Sequence, residues 1–133
     1  QKRCTHDRIT LDVLLMYAES VCRAQNGPTE DALEAVNMIH RRAYGKPSTE
    51  KSDIDYKLSD YTRDSFIDLC IKERGYETVG EGKRWLDIVR AGKAVELVEK
   101  YRKSTIDQSA YLWPIPVIEM QTNKAITEQN PGY

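Results

Sequence analysis

The stretch Val21-Cys22-Arg23-Ala24-Gln25-Asn26-Gly27-Pro28-Thr29-Glu30-Asp31-Ala32-Leu33 decides the architecture. Asn26-Gly27-Pro28 stops one helix in the usual order, glycine ahead of proline. Thr29 then offers a side-chain oxygen to cap a second helix, with Glu30 and Asp31 where the N-terminal end of the dipole favours negative charge. Upstream, from about Asp7 to Gln25, Leu11, Leu14, Leu15, Ala18, Val21 and Cys22 recur at spacings of three and four, with Asp7 as the expected N-cap. Downstream to about Tyr44, Ala32, Leu33, Val36, Ile39 and Ala43 form the matching apolar stripe. Only three or four residues join the two helices, so they pack antiparallel as a hairpin.

The chain then turns polar from Gly45 to Tyr61, a long surface loop of the kind that is functional or mobile. Thr62 reads as the N-cap of a third helix, Arg63 to about Thr78, with Phe66, Leu69, Cys70, Glu73, Tyr76 and Glu77 on one side. Gly80 and Gly82 break it. A fourth helix, Lys83 to about Arg90, carries Trp85, Ile88 and Val89, and Gly92 interrupts it before Ala94, Val95, Leu97, Val98 and Tyr101 resume the pattern. From about residue 104 to 133 the character changes. Tyr111-Leu112-Trp113-Pro114-Ile115-Pro116 is held extended by its two prolines, a single helical turn follows at Val117 to Gln121, and Asn130-Pro131-Gly132 is turn-like. The expected fold is all-α, one domain over residues 1–133, made of two tetratricopeptide-like helical hairpins and an extended C-terminal arm. No helix–strand alternation exists, which excludes a parallel sheet. Hairpins of this kind need about three neighbours for stability, so a missing N-terminal portion is expected.

Composition narrows the function classes. A chain of 133 residues can bury roughly two-thirds of its unfolded surface, enough for a core without metals or disulfides. Twenty basic against twenty-one acidic residues leave a net charge of −1, which argues against a dedicated nucleic-acid binder. The longest apolar run, Val13 to Ala18, is far too short to span a bilayer. Cys4, Cys22 and Cys70 make an odd count with no CxxC pair, and Cys22 and Cys70 fall inside helical patterns as small core residues. Neither His6 nor His40 has a partner at metal spacing, and no nucleophile, zinc or phosphate-loop motif occurs. No cofactor, metal or catalytic residue is therefore assigned.

The most unusual constellation is Glu73, Arg74 and Glu77 followed by Arg84, Trp85, Asp87 and Arg90. Antiparallel packing of the third and fourth helices would set carboxylates against guanidiniums, and planar arginine forks suit that pairing. A structural network is favoured over a paired-carboxylate acid–base site, because the charges are matched and not left poised. Trp85 and Trp113 sit beside apolar residues and read as core. Tyr56 and Tyr61, in the polar loop, stay open between packing and contact with a sugar ring or another flat ligand.

Four segments resemble the C-terminal part of the SusD/RagB family of outer-membrane nutrient-binding lipoproteins. Arg8-Ile9-Thr10-Leu11-Asp12-Val13-Leu14-Leu15-Met16-Tyr17-Ala18-Glu19 is similar to the family's R-x-A-E-V-L-L-x-Y-A-E helix. Ala32 to Ala43 is similar to A-L-x-x-V-N-x-I-R-x-R-A, with His40 where an arginine is common. Ile71-Lys72-Glu73-Arg74 followed by Glu81-Gly82-Lys83-Arg84-Trp85-Leu86-Asp87-Ile88-Val89-Arg90-Ala91-Gly92 resembles E-R-x-x-E-L-x-x-E-G-x-R-W-x-D-L-x-R-x-G. Gly75 and Gly80 depart from it and predict a looser third helix. Leu112-Trp113-Pro114-Ile115-Pro116 and the ending Gln129-Asn130-Pro131-Gly132-Tyr133 complete the set.

The resemblance implies a binding protein and not an enzyme. Its members are lipid-anchored on the outer face of the outer membrane and cap a SusC-like TonB-dependent transporter. They capture glycans or, in the RagB branch, peptides. They are several times longer than this chain, so the lipid-bearing cysteine and most of a glycan site are expected upstream. No ligand contact is carried over by the resemblance. Glu73, Arg74, Glu77, Arg84, Trp85, Asp87, Arg90, Trp113 and Pro114 are assigned to scaffold. The alternative is a helical adaptor whose hairpin groove takes a partner peptide.

Overall fold

The computed structural model describes residues 4–133, with side chains described for 10–107 and 109–133. Six α-helices appear in order: α1 (Cys4–Ala24), α2 (Glu30–Ala43), α3 (Arg63–Glu77), α4 (Arg84–Arg90), α5 (Ala94–Arg102) and α6 (Val117–Thr122). The described residues contain no strand, so the all-α expectation holds. The chain divides into two compact units, residues 1–82 and 83–133.

In the first unit α1 and α2 form the expected hairpin, and α3 packs against both. Leu11, Leu15, Ala18 and Cys22 of α1 are buried against Ala32, Leu33, Val36 and Ile39 of α2 and Phe66, Ile67, Leu69, Cys70 and Ile71 of α3. Burying each large apolar side chain contributes about 1.5–3 kcal/mol, and Ala18 and Ala32 have no exposed surface where the two helices meet. Burial pushes the Cys70 thiol up to about 12 and raises Cys22 as well, which keeps both thiols protonated and inert.

Several sequence expectations need correction. α1 starts at Cys4, so Asp7 lies inside the helix and does not cap it. Ala43 falls in the last turn of α2 and is exposed, beyond the reach of the core. Tyr76 is 62% exposed, because α3 buries an arc centred on Phe66, Cys70 and Glu73 that turns away from it. The third helix, expected to open a second hairpin, sits on the first, and it runs through Gly75 to Glu77. Its start is as read: Thr62 accepts from Ser65 N–H at 3.3 Å while Ser65 Oγ accepts from Thr62 N–H at 2.8 Å.

The second unit begins with the helix pair α4 and α5, separated at Gly92 with φ +70°. Its extended run, residues 112–116, is held by side-chain amides of the tail. Gln129 accepts Ile115 N–H at 2.7 Å and donates to Ile115 C=O at 3.0 Å, while Asn130 Nδ2 donates to the Trp113 carbonyl at 2.6 Å. The Trp113 side chain points the other way and is 78% exposed, so it is not a core residue of this chain. Its carbonyl is gripped and its indole is not. Gly132 is the tail position that demands glycine: φ is +96°, and an added Cβ would lie 2.5 Å from Ser109 Cβ.

The α1–α2 turn departs from the glycine-first reading. Asn26, at φ 57°, takes the left-handed position, and Gly27 N–H donates to Cys22 C=O at 3.0 Å in the six-to-one pattern of a Schellman end. Gly27 itself lies outside that region, and a methyl there meets nothing within 4 Å. Asn26→Ala is therefore expected to lower stability by about 1 kcal/mol in urea unfolding. Gly27→Ala should leave it unchanged or raise it by up to roughly 1 kcal/mol.

Candidate functional site

The polar loop is pinned to α2 by one buried guanidinium. Leu33, Asn37 and Arg41 follow each other at i, i+4 and i+8, so two polar residues continue a buried stripe of α2. Arg41 has no exposed side-chain surface. Its Nε and Nη2 donate to Asp55 at 2.6 and 2.5 Å, and Nη1 and Nη2 donate to Glu34 at 2.7 and 2.9 Å. Nη1 also reaches the Ser48 carbonyl at 2.9 Å, so all five N–H groups are used. The Arg41 hydrogen bonds hold the Asp55 carboxyl below the usual carboxylate range, against the opposing effect of burial. The same pairs raise Arg41 further above its ordinary value.

Asn37 makes the second anchor. Its Oδ1 accepts Tyr56 N–H at 2.8 Å and its Nδ2 donates to Tyr56 C=O at 3.1 Å, a two-way pairing like that of a strand neighbour. Tyr56 is thereby set with its hydroxyl donating to buried Glu73 of α3 at 2.9 Å. Its ring lies 4.3 Å from His40, with Tyr44 on the same imidazole at 4.9 Å; Tyr61 meets Tyr56 edge-on at 5.8 Å and Phe66 at 6.1 Å. Burial, then the neighbouring Glu73, pushes the Tyr56 hydroxyl well above its ordinary value, and burial raises Tyr61. His40 Nδ1 stands 3.8 Å from Glu73 Oε1.

Between the first half of α2 and residues 51–58 lies an open groove of about 600 Å³. Glu30, Asp31 and Glu34 line its helix side; Lys51, Tyr56 and Lys57 line its loop side. Carboxylates, ammonium groups and one tyrosine can bind hydroxyls or a cationic group. Among the described residues no group of His, Cys, Asp and Glu could hold a metal ion, and no helix is long and apolar enough to cross a membrane.

Of the residues singled out from sequence, Tyr56 lines this groove and Tyr61 packs between Tyr56 and Phe66. Glu73 and Glu77 take partners from α2 and the loop: Tyr56 for the first, and Arg42 at 2.5 Å for the second. Arg74 is half-buried on α3. Arg84, half-buried Trp85, buried Asp87 and exposed Arg90 belong to α4 of the second unit, as Trp113 and Pro114 belong to its arm. His6 lies outside the residues whose side chains are described, as does Cys4. Sequence reading missed Arg41, Asn37 and Asp55; the available signal was a guanidinium and an amide in the register of Leu33.

Comparison with known proteins gives a consistent result. The family model described as the SusD family matches residues 8–133. SusD-like protein P38 of Formosa agariphila is 34% identical over 122 residues, covering 92% of this chain and 23% of that protein. SusD-like protein P25 of the same organism is 30% identical over 132 residues, with the same coverage. The crystal structure of a SusD homolog from Bacteroides thetaiotaomicron superposes with a TM-score of 0.76 at 30% identity, covering 92% of this chain and 26% of that one. The chain thus spans about a quarter of the length of the relatives it matches.

Removing Arg41 leaves two carboxylates facing each other without their cation. Arg41→Met is expected to cost about 3–5 kcal/mol in urea unfolding and to open residues 46–57 to protease. Asp55 also sets a pH dependence. Its folded pKa is depressed, so its stabilisation is present above the unfolded carboxylate value and lost as pH falls through the folded one. In an acid titration followed by circular dichroism, Asp55→Asn should therefore be less stable than the parent at neutral pH and lose less stability below about pH 4.

Proposed function

The chain belongs to the SusD family, and on that premise we propose that it is the helical scaffold of a cell-surface glycan-binding lipoprotein. In this reading the whole protein is lipid-anchored at the outer membrane and delivers oligosaccharides to a SusC-like TonB-dependent transporter. It is a binding protein and not an enzyme. The observation that carries the proposal is the match along residues 8–133, supported by the same fold in a SusD homolog.

The geometry supports a scaffold role for most of the residues singled out. Arg41 spends every donor on its own chain, and Glu73 and Glu77 are engaged by Tyr56 and Arg42. Arg74, Arg84, Trp85, Asp87 and Arg90 take the same role in this reading, with Trp113 and Pro114 in the gripped arm. Tyr56 and Tyr61 are the candidates for ligand contact, Tyr56 through the edge it gives to the groove. A second reading, capture of a peptide, draws on the same groove: Glu30, Asp31 and Glu34 would suit a basic segment.

Native affinity gels with a panel of polysaccharides test the proposal, with this chain and a polypeptide of the relatives' length run side by side. Retardation of the longer polypeptide is expected. Its absence across the panel, with binding of basic peptides instead, would replace glycan by peptide. Tyr56→Ala combined with Tyr61→Ala should weaken sugar retardation if the loop contributes to the site; unchanged mobility would remove both tyrosines from it.

A further inference from the structure

The sequence holds four asparagines, and their surroundings expose them very differently to ring closure. An asparagine side chain is consumed when the backbone nitrogen of the next residue bonds to its amide carbon, which needs a small neighbour and a nitrogen free to lose its proton. Asn37 is buried inside α2 with both amide atoms engaged by Tyr56. Asn123 precedes Lys124, whose side chain crowds the nitrogen, and its own Oδ1 accepts Ala125 N–H at 3.1 Å. Asn130 precedes Pro131, whose nitrogen has no proton to lose. Asn26 alone is followed by glycine; it is exposed, and its side chain has no hydrogen-bond partner among the described residues. A Cβ built on Gly27 would meet nothing within 4 Å, so the space beside that nitrogen is open. What restrains the pair is the end of α1. Gly27 N–H donates to Cys22 C=O at 3.0 Å, so in the closed turn the proton that must leave is held. Gln25 N–H on Val21 C=O at 2.9 Å closes the same turn. Helix ends open locally at a lower free energy than helix centres.

We propose that Asn26–Gly27 is a self-modification site whose rate is set by the end of α1. When the turn opens, the Gly27 nitrogen loses its proton to solvent base and bonds to Asn26 Cγ. The Cγ–Nδ2 bond breaks, and the amide nitrogen leaves as ammonia with a proton from solvent. The resulting succinimide adds water. Attack at Cγ restores the ordinary backbone with aspartate at 26, and attack at the main-chain carbonyl carbon leaves the chain running through Cγ as isoaspartate. Both products weaken the hairpin. Aspartate sets a negative charge at the C-terminal end of α1, where the dipole favours cations. Isoaspartate lengthens the backbone by one carbon within the ring that Gly27 N–H closes onto Cys22. The ammonia is lost, so the modified fraction accumulates with the time the turn has spent open.

Ageing in mildly alkaline buffer, with and without urea, tests this in a polypeptide of the relatives' length. Trypsin releases residues 24–41, which carry both Asn26 and Asn37, and tandem mass spectrometry scores the two asparagines in one peptide. Conversion at Asn26 with Asn37 intact is expected, and in urea Asn26 should convert roughly tenfold faster or more than in the folded protein. Equal rates folded and unfolded would overturn control by the turn, and equal conversion of both asparagines would overturn the site. Isoaspartate should appear together with aspartate, since both come from one ring; aspartate alone would mean direct hydrolysis of the side chain and overturn the ring step. Gly27→Ala, whose methyl the folded turn accommodates, should slow conversion in urea several-fold by crowding the nitrogen, and an unchanged rate would also overturn ring closure. Asn26→Asp should lower Tm by about 2 °C or more. An unchanged or raised Tm would overturn the weakening of the hairpin.

Discussion

Arg41 places a guanidinium where water does not reach, in the angle between α2 and the polar loop. Such a charge is tolerable only with complete pairing, because an uncompensated buried cation costs several kcal/mol. Glu34, about two helical turns earlier, can be supplied by α2 itself, but Asp55 and the Ser48 carbonyl must come from the loop. The loop is therefore ordered by the needs of a helix residue and not by its own propensities. Once Asp55 is fixed, the next residue falls within reach of Asn37, and Tyr56 is aimed at α3. The aromatic series from Tyr44 to Phe66, and the groove beside it, follow from that placement.

The same pairing explains why a loop rich in Gly, Ser, Pro and charged residues is not a free lid. Lys46 engages Ser52 and Asp53, the Ser52 N–H donates to Asp55, and a short turn at 58–60 hands the chain to the cap of α3. Each contact is weak alone, since a solvent-exposed pair such as Lys46–Asp53 is screened by water and salt. Around a fully engaged Arg41 they act on backbone whose freedom is already spent. A long segment can then hold one wall of a groove at a set distance from the other.

What the sequence disclosed follows the range of the forces involved. Most of the helix stripes, the Thr29 and Thr62 caps and the breaks at Gly80 and Gly92 are local and stand where the sequence puts them, whereas the end of the α2 stripe at Ala43, Tyr76 of α3 and the start of α1 do not. The family motifs added the identity of the chain, which no single spacing could. Partner choice was less legible. In sequence, Glu73 and Glu77 point toward the arginines that follow them, yet Tyr56 and Arg42, which engage them, lie 17 and 35 residues earlier. A lone arginine in a helix reads from sequence as a solvated residue, and nothing local marks Arg41 as different. Its meaning depends on Asp55, fourteen residues away across a loop whose path no local signal sets.

The arm of the second unit obeys the constraint that governs Arg41, with hydrogen bonds in place of charge. Pro114 and Pro116 hold the run extended and remove its own donors, so Ile115 carries the lone N–H between them. A half-buried Ile115 needs both its polar groups satisfied, and an extended segment with no neighbouring strand has no backbone to offer. One primary amide can supply a donor and an acceptor together, which is what Gln129 does, while Asn130 takes the Trp113 carbonyl. Two motifs that look separate in sequence, the proline run and the glutamine–asparagine tail, are thus one structural element. Just beyond the gripping residues, Gly132 lies against Ser109, where any side chain would collide. With the Trp113 carbonyl and both Ile115 backbone groups engaged, the arm leaves the Trp113 ring exposed, as α1 leaves Met16 and Tyr17. In each unit a buried or extended segment has its polar groups met by side chains from elsewhere in that unit, while single large apolar side chains such as Trp113 and Met16 stay exposed.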